Sequence, residues 1–71
     1  MNEKITHVRR DNQGRIIEVK TDGNNIYDVE VAKEFVANKT IENAKLEYLT
    51  IAGLSIINSL DGNDFLGFPE F

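Results

Sequence analysis

Two short β-prone runs, Lys4 to Arg10 and Arg15 to Thr21, stand on either side of Asp11-Asn12-Gln13-Gly14. A polar, glycine-closed loop between two such runs is a hairpin signature, so one end of the fold is set before any other residue is considered. A symmetric four-residue loop places Val8 opposite Ile17, Thr6 opposite Val19 and Arg10 opposite Arg15. The other face then pairs Arg9 with Ile16, His7 with Glu18 and Ile5 with Lys20. Strand side chains alternate between faces, so this register collects Val8, Ile17 and Val19 on one apolar face. Gly14 closes the loop where a positive φ is expected.

Asp22-Gly23-Asn24-Asn25 is a second turn, and Ile26-Tyr27 after it has room only for a short third strand. Asp28 is placed to cap a helix, because its carboxylate can accept unpaired amide hydrogens of the first turn. Glu30 adds favourable charge there. Val29, Ala32, Phe35 and Val36 recur at helical spacing and form one apolar stripe. The helix is expected to end near Asn38, which tolerates a left-handed C-terminal conformation. A second hairpin is expected around Ala52-Gly53. It pairs Leu49 with Ile56 and Ile51 with Leu54, and sets Leu46, Tyr48 and Ile57 on the other face.

The predicted architecture is therefore α+β and forms one domain over residues 1–71. Two β-hairpins, the first with a short third strand, flank a single helix, and an extended aromatic tail follows. Val8, Ile17, Val19, Leu46, Tyr48 and Ile57 are the expected core on the sheet side. The helix can cover one sheet face, which leaves Leu49, Ile51, Leu54 and Ile56 in need of another cover. Asp61-Gly62-Asn63 reads as a turn, and Phe65, Leu66, Phe68 and Phe71 then crowd into a tail where Pro69 prevents a regular helix. That tail is the expected cover, over this chain or over a second copy.

Seventy-one residues without a cysteine and with one histidine limit the devices that stabilise small chains. Disulfides and thiol–imidazole zinc sites are excluded, which leaves self-association as a candidate device. No apolar run reaches membrane-spanning length and no leader-like stretch is visible, so the expected setting is the cytoplasm without membrane contact.

The order of signals resembles a known family. It runs Ile5-Thr6-His7-Val8-Arg9-Arg10, Gly14-Arg15-Ile16, Val19-Lys20-Thr21-Asp22-Gly23, a short helix, and a terminal Asn63-Asp64-Phe65-Leu66-Gly67-Phe68-Pro69-Glu70-Phe71. Together these segments resemble the family numbered 3892 in the domain-of-unknown-function series, whose members are small bacterial and phage proteins. The resemblance implies one compact domain and brings no activity with it. Members tend to carry leucines where Phe65 and Phe68 stand here, and glycine where this chain has Asn38.

The residues offer little catalytic chemistry. His7 opposite Glu18 could form an acid–base dyad, but Ser55 and Ser59 lie in the other hairpin and no cysteine accompanies it. Asp61, Asn63 and Asp64 offer oxygen ligands but too few for a calcium loop. The five glycines are scattered and form no phosphate-binding loop. No enzyme activity, cofactor or metal is expected.

Charge is more informative. Five of the eight basic residues (Lys4, Arg9, Arg10, Arg15 and Lys20) lie in the first hairpin of a chain whose net charge is −4. Arg9, Arg10 and Arg15 are thus candidate contacts for an anion or a partner, while the acidic whole argues against nucleic acid. The leading expectation is a non-enzymatic module that binds another protein or itself. Its candidate self-association or tail-covered face comprises Leu49, Ile51, Leu54, Ile56, Phe65, Phe68 and Phe71. The alternative is a nucleic-acid or anion-binding accessory protein that uses the basic hairpin.

Overall fold

A computed structural model describes residues 2–48 and 55–71. The order is β1 (Ile5–Arg10), β2 (Ile16–Thr21), β3 (Ile26–Asp28), α1 (Val29–Ala37), β4 (Ala44–Tyr48) and β5 (Ser55–Ser59). The strands form two antiparallel sheets, β1-β2-β3 and β4-β5, so the hairpins on either side of the helix do not share a single sheet. The fold is α+β, as its sequence indicates.

The first loop forms as its residues require. The Asp11 carboxylate accepts the backbone N–H groups of Gln13 (2.9 Å) and Arg15 (3.0 Å). Gly14 takes φ +84°, open to glycine and costly for other residues.

The strand register differs from the symmetric one. Val8 faces Val19, Arg9 faces Glu18 and His7 faces Lys20, while Ile5 meets Thr21 and Arg10 meets Ile16. The ladder shifts twice, leaving Thr6 unpaired on β1 and Ile17 unpaired on β2. One extra residue in a strand reverses the alternation beyond it. Ile5 and Val8, of opposite parity, are thereby both buried, and Ile17 is left 38% exposed instead of in the core. Arg10 and Arg15 are not opposite each other. Glu18 pairs with Arg9, so no His7–Glu18 dyad forms.

Helix α1 starts where expected: the Asp28 carboxylate accepts the Glu30 N–H at 3.1 Å. It ends at the Asn38 C-cap, as expected, but the left-handed conformation falls one residue later. Asn38 keeps φ −92°, and Lys39 takes the left-handed conformation at φ +68°. The Lys39 N–H then donates to the Val36 carbonyl and the Ile41 N–H to the Phe35 carbonyl, which closes the last turn. Ala32 and Val36 are buried, and Phe35 packs edge-to-face on Tyr27 with centroids 4.9 Å apart. The helix touches β2, β3, β4 and β5, so it joins the two sheets.

In the second hairpin Leu46 and Ile57 share a face, as expected, but the register is shifted by two residues: Leu46 lies opposite Ile57, and Ile56 lies opposite Glu47 instead of Leu49. Tyr48, expected in the core, is 78% exposed at the end of β4. The predicted Ala52-Gly53 turn, with Leu49, Ile51 and Leu54, falls outside the described residues. Among the described residues the core consists of Ile5, Val8, Val19, Ala32, Val36, Ile41, Ala44, Ile57 and Phe65. Two single parallel bridges tie the sheets to the rest of the chain, Glu3 to Ile41 and Val8 to Glu70.

Candidate functional site

The C-terminal residues reach the outer edge of β1. An edge strand exposes unpaired backbone groups that invite another strand. At one end the Asn43 side chain satisfies both groups of Ile5: its Oδ1 accepts the Ile5 N–H at 2.8 Å, and its amide donates to the Ile5 carbonyl at 3.0 Å. At the centre, the Val8 N–H donates to the Pro69 carbonyl at 3.1 Å, and Glu70 makes a single parallel bridge with Val8. The Phe71 ring then stands edge-on to His7, with centroids 6.4 Å apart at 86°, while the Arg9 guanidinium carbon lies 5.7 Å from the ring centre. The Thr6 hydroxyl lies 2.9 Å from His7 Nδ1 and holds that imidazole in place.

A tight turn delivers the tail to this edge. Asp64 and Phe65 both adopt left-handed backbone, φ +53° and +56°, and Gly67 follows at φ +88°. Such conformations cost roughly 1–2 kcal/mol for each residue bearing a Cβ. The Asp64 N–H donates to Asn58 Oδ1 at 2.7 Å and the Phe65 N–H to Ser59 Oγ at 3.2 Å, which holds the turn. The effect is to sink Phe65 to 1% exposure while Leu66 projects at 83%. Phe68 packs edge-to-face on Phe65 with centroids 5.2 Å apart. The tail thus covers this chain's own core, and Phe65 and Phe68 are spent in doing so.

The three arginines are each engaged. Arg9 pairs with Glu18 at 2.9 Å and also covers Phe71. Arg10 donates to the Gly14 carbonyl, to Asp64 Oδ2 at 3.2 Å and to the Asp64 carbonyl at 2.6 Å, clamping the hairpin loop to the tail turn. Arg15 pairs with Asp11 at 3.3 Å. The Asp11 carboxyl lies below its ordinary range, first because the Arg15 backbone N–H donates to it.

The Glu3 cluster has no local signal in the sequence. Glu3 gathers the Thr21 hydroxyl (2.6 Å), the Asn25 amide (2.9 Å) and the Tyr27 hydroxyl (2.9 Å) on its carboxylate. These donors favour the ionised form, so the Glu3 carboxyl is held below its usual range, with Thr21 contributing most. The same contact pushes the Tyr27 phenol up. Asp61 accepts the Ser59 hydroxyl at 2.6 Å and the Asn63 N–H at 3.0 Å, the duties of a turn residue, and its carboxyl is lowered chiefly by Ser59. Among the described residues no cluster of three or more metal-ligating side chains occurs. No helix among them is long and apolar enough to cross a membrane.

On another side, a shallow groove of about 440 Å³ has an aliphatic floor that includes Ile16, Ile17, Val29, Ile56 and Ile57. Its charged rim contains Arg15, Asp11, Glu30 and Lys33, already joined as two ion pairs. Of the four aliphatics proposed as a self-association face, Ile56 alone is described, and it is partly exposed on this floor.

The model of the family described as "Protein of unknown function (DUF3892)" matches residues 4–67, and the chain belongs to that family. The matched range holds β1, Asn43 and the Phe65 turn, and it stops before residues 68–71. No curated protein and no solved structure matches the chain.

Proposed function

We propose that this family member is a non-catalytic protein-interaction module that takes an extended segment of a partner along the outer edge of β1. One observation supports the reading. The chain lays its own residues 69–71 there, with the Val8 N–H on the Pro69 carbonyl and the Phe71 ring beside His7 and Arg9. An edge that accepts one backbone in register can accept another of the same shape. Main-chain bonds supply affinity and the side-chain cradle supplies selectivity.

The nucleic-acid alternative is the weaker one. A phosphate approaching Arg9, Arg10 or Arg15 has to displace Glu18, Asp64 or Asp11 from a chain of pI 4.8. Phe65 is buried within its own chain, so a homodimer gains no cover for that ring by exchanging tails.

The test uses the full chain carrying Phe71→Ala, labelled with nitrogen-15, and a synthetic peptide that copies residues 64–71. The Val8 amide resonance should move and saturate as peptide is added, and should move far less in the unsubstituted chain. A Val8 signal that stays in place at millimolar peptide would refute the proposal.

A further inference from the structure

The occupant of the β1 edge carries more information than its backbone alone. Its ring sits at a defined offset, two residues beyond the carbonyl that pairs with Val8. Arg9 and His7, on the same strand, meet that ring as a cation over its face and as a perpendicular ring beside it. Both contacts favour an aromatic group over an aliphatic one of similar size, and a cation above a ring favours indole most. Arg9 is kept in place by Glu18, its cross-strand neighbour.

The chain's own segment is held loosely. Pro69 and Glu70 are exposed, and Pro69 brings no N–H to the edge. The anchored residues are Phe65 and Phe68, upstream of the paired stretch. Residues 69–71 can therefore leave the edge without uncovering the core.

We infer that the β1 edge is a reader of short extended segments of other proteins that carry an aromatic ring two residues after the carbonyl bound by Val8, with Phe71 as its internal competitor. This rests on the strand-addition reading above and adds the identity of the ligand. Another protein, not a second copy, is the source. A tail tethered at Phe68 acts at an effective concentration on the order of millimolar. A second copy's tail makes the same contacts without the tether and cannot displace it at micromolar protein. A foreign segment prevails by offering a backbone N–H where Pro69 has none and a larger ring where Phe71 sits.

The experiment titrates the full Phe71→Ala chain with three peptides that copy residues 64–71 and carry Trp, Phe or Ala at the last position. Trp should bind tightest, then Phe, with the Phe peptide at least about threefold tighter than the Ala peptide. Adding Arg9→Lys, which keeps the charge facing Glu18 but removes the flat guanidinium, should compress the three affinities toward one value. The unsubstituted chain should bind each peptide more weakly, and it should sediment as a monomer at micromolar concentration. Equal affinities for Trp, Phe and Ala peptides would overturn ring reading while leaving strand addition intact. No binding by any peptide would overturn both. A tail-exchanged dimer of the unsubstituted chain would overturn the assignment to a foreign partner.

Discussion

Replacing Phe65 tests how the tail is built into the fold. Its side chain is 1% exposed and belongs to the central cluster with Ile5, Val8 and Ile57. Truncating a buried phenylalanine to alanine costs about 3–5 kcal/mol, combining the lost transfer energy and the cavity left behind. Domain stability of roughly 0.05–0.15 kcal/mol per residue gives about 4–11 kcal/mol for a chain of this length. Phe65→Ala should therefore remove roughly a quarter or more of the total. The backbone adds a second expectation. At φ +56°, alanine still carries the left-handed penalty of about 1–2 kcal/mol, whereas glycine does not. Glycine usually costs about 0.5–1 kcal/mol relative to alanine. Here Phe65→Gly should be as stable as Phe65→Ala or more so. Urea unfolding followed by far-ultraviolet circular dichroism measures both, since the chain has no tryptophan to report by fluorescence. If the truncations do not fold, Phe65→Leu should still cost about 1 kcal/mol or more through lost shape fit. A loss below about 1 kcal/mol for Phe65→Ala would refute the placement of this ring. A glycine variant clearly weaker than the alanine one would refute the strained turn.

Other substitutions probe separate parts. Lys39→Gly should stabilise the chain by about 0.5–1 kcal/mol, because φ +68° suits glycine after a helix; a lower urea midpoint would contradict that. Asn43→Ala should cost about 1–3 kcal/mol and increase aggregation in light scattering, since it unpairs both backbone groups of Ile5 on a sheet edge. Glu3 contributes stability that is present above its unfolded pKa and lost as pH falls through its lowered folded value, so Glu3→Gln should flatten the acid limb of a Tm-versus-pH curve below about pH 5. Tyr27 acts in the opposite sense: its raised pKa gives stability present below about pH 10 and lost above it, and Tyr27→Phe should remove that alkaline loss.

The elements themselves were legible because their signals are local. The Asp11 loop, the Asp22 turn and the Asp28 cap each depend on residues within a few positions, and each formed where its chemistry required. Register failed for a different reason. Alternation was extended through Thr6 and Ile17, where the ladder adds a residue and changes phase. One clue was present: the symmetric register set Arg10 against Arg15, a repulsive pair, whereas the observed one sets Arg9 against Glu18. Ile41 entered the core from a segment with no periodicity to betray it.

The edge site was partly visible, in that Arg9 and Phe71 were both singled out, but nothing local could bring them together. Asn43 reaches Ile5 across 38 positions and Glu3 reaches Tyr27 across 24, contacts that only the folded chain creates. The place of Phe65 in the core is not legible locally, because its burial depends on two consecutive left-handed residues, neither of them glycine. No propensity scale anticipates that arrangement.

Hydrogen exchange at the Val8 amide bears most directly on the account. In the unsubstituted chain the Pro69 carbonyl shields this N–H, and Phe71→Ala should speed its exchange roughly threefold to tenfold without altering amides of β2. Adding a tryptophan-ended peptide to that variant should slow it again. Unchanged exchange at Val8 in all three samples would mean that β1 has no exchangeable edge, and the interaction role would fall with it.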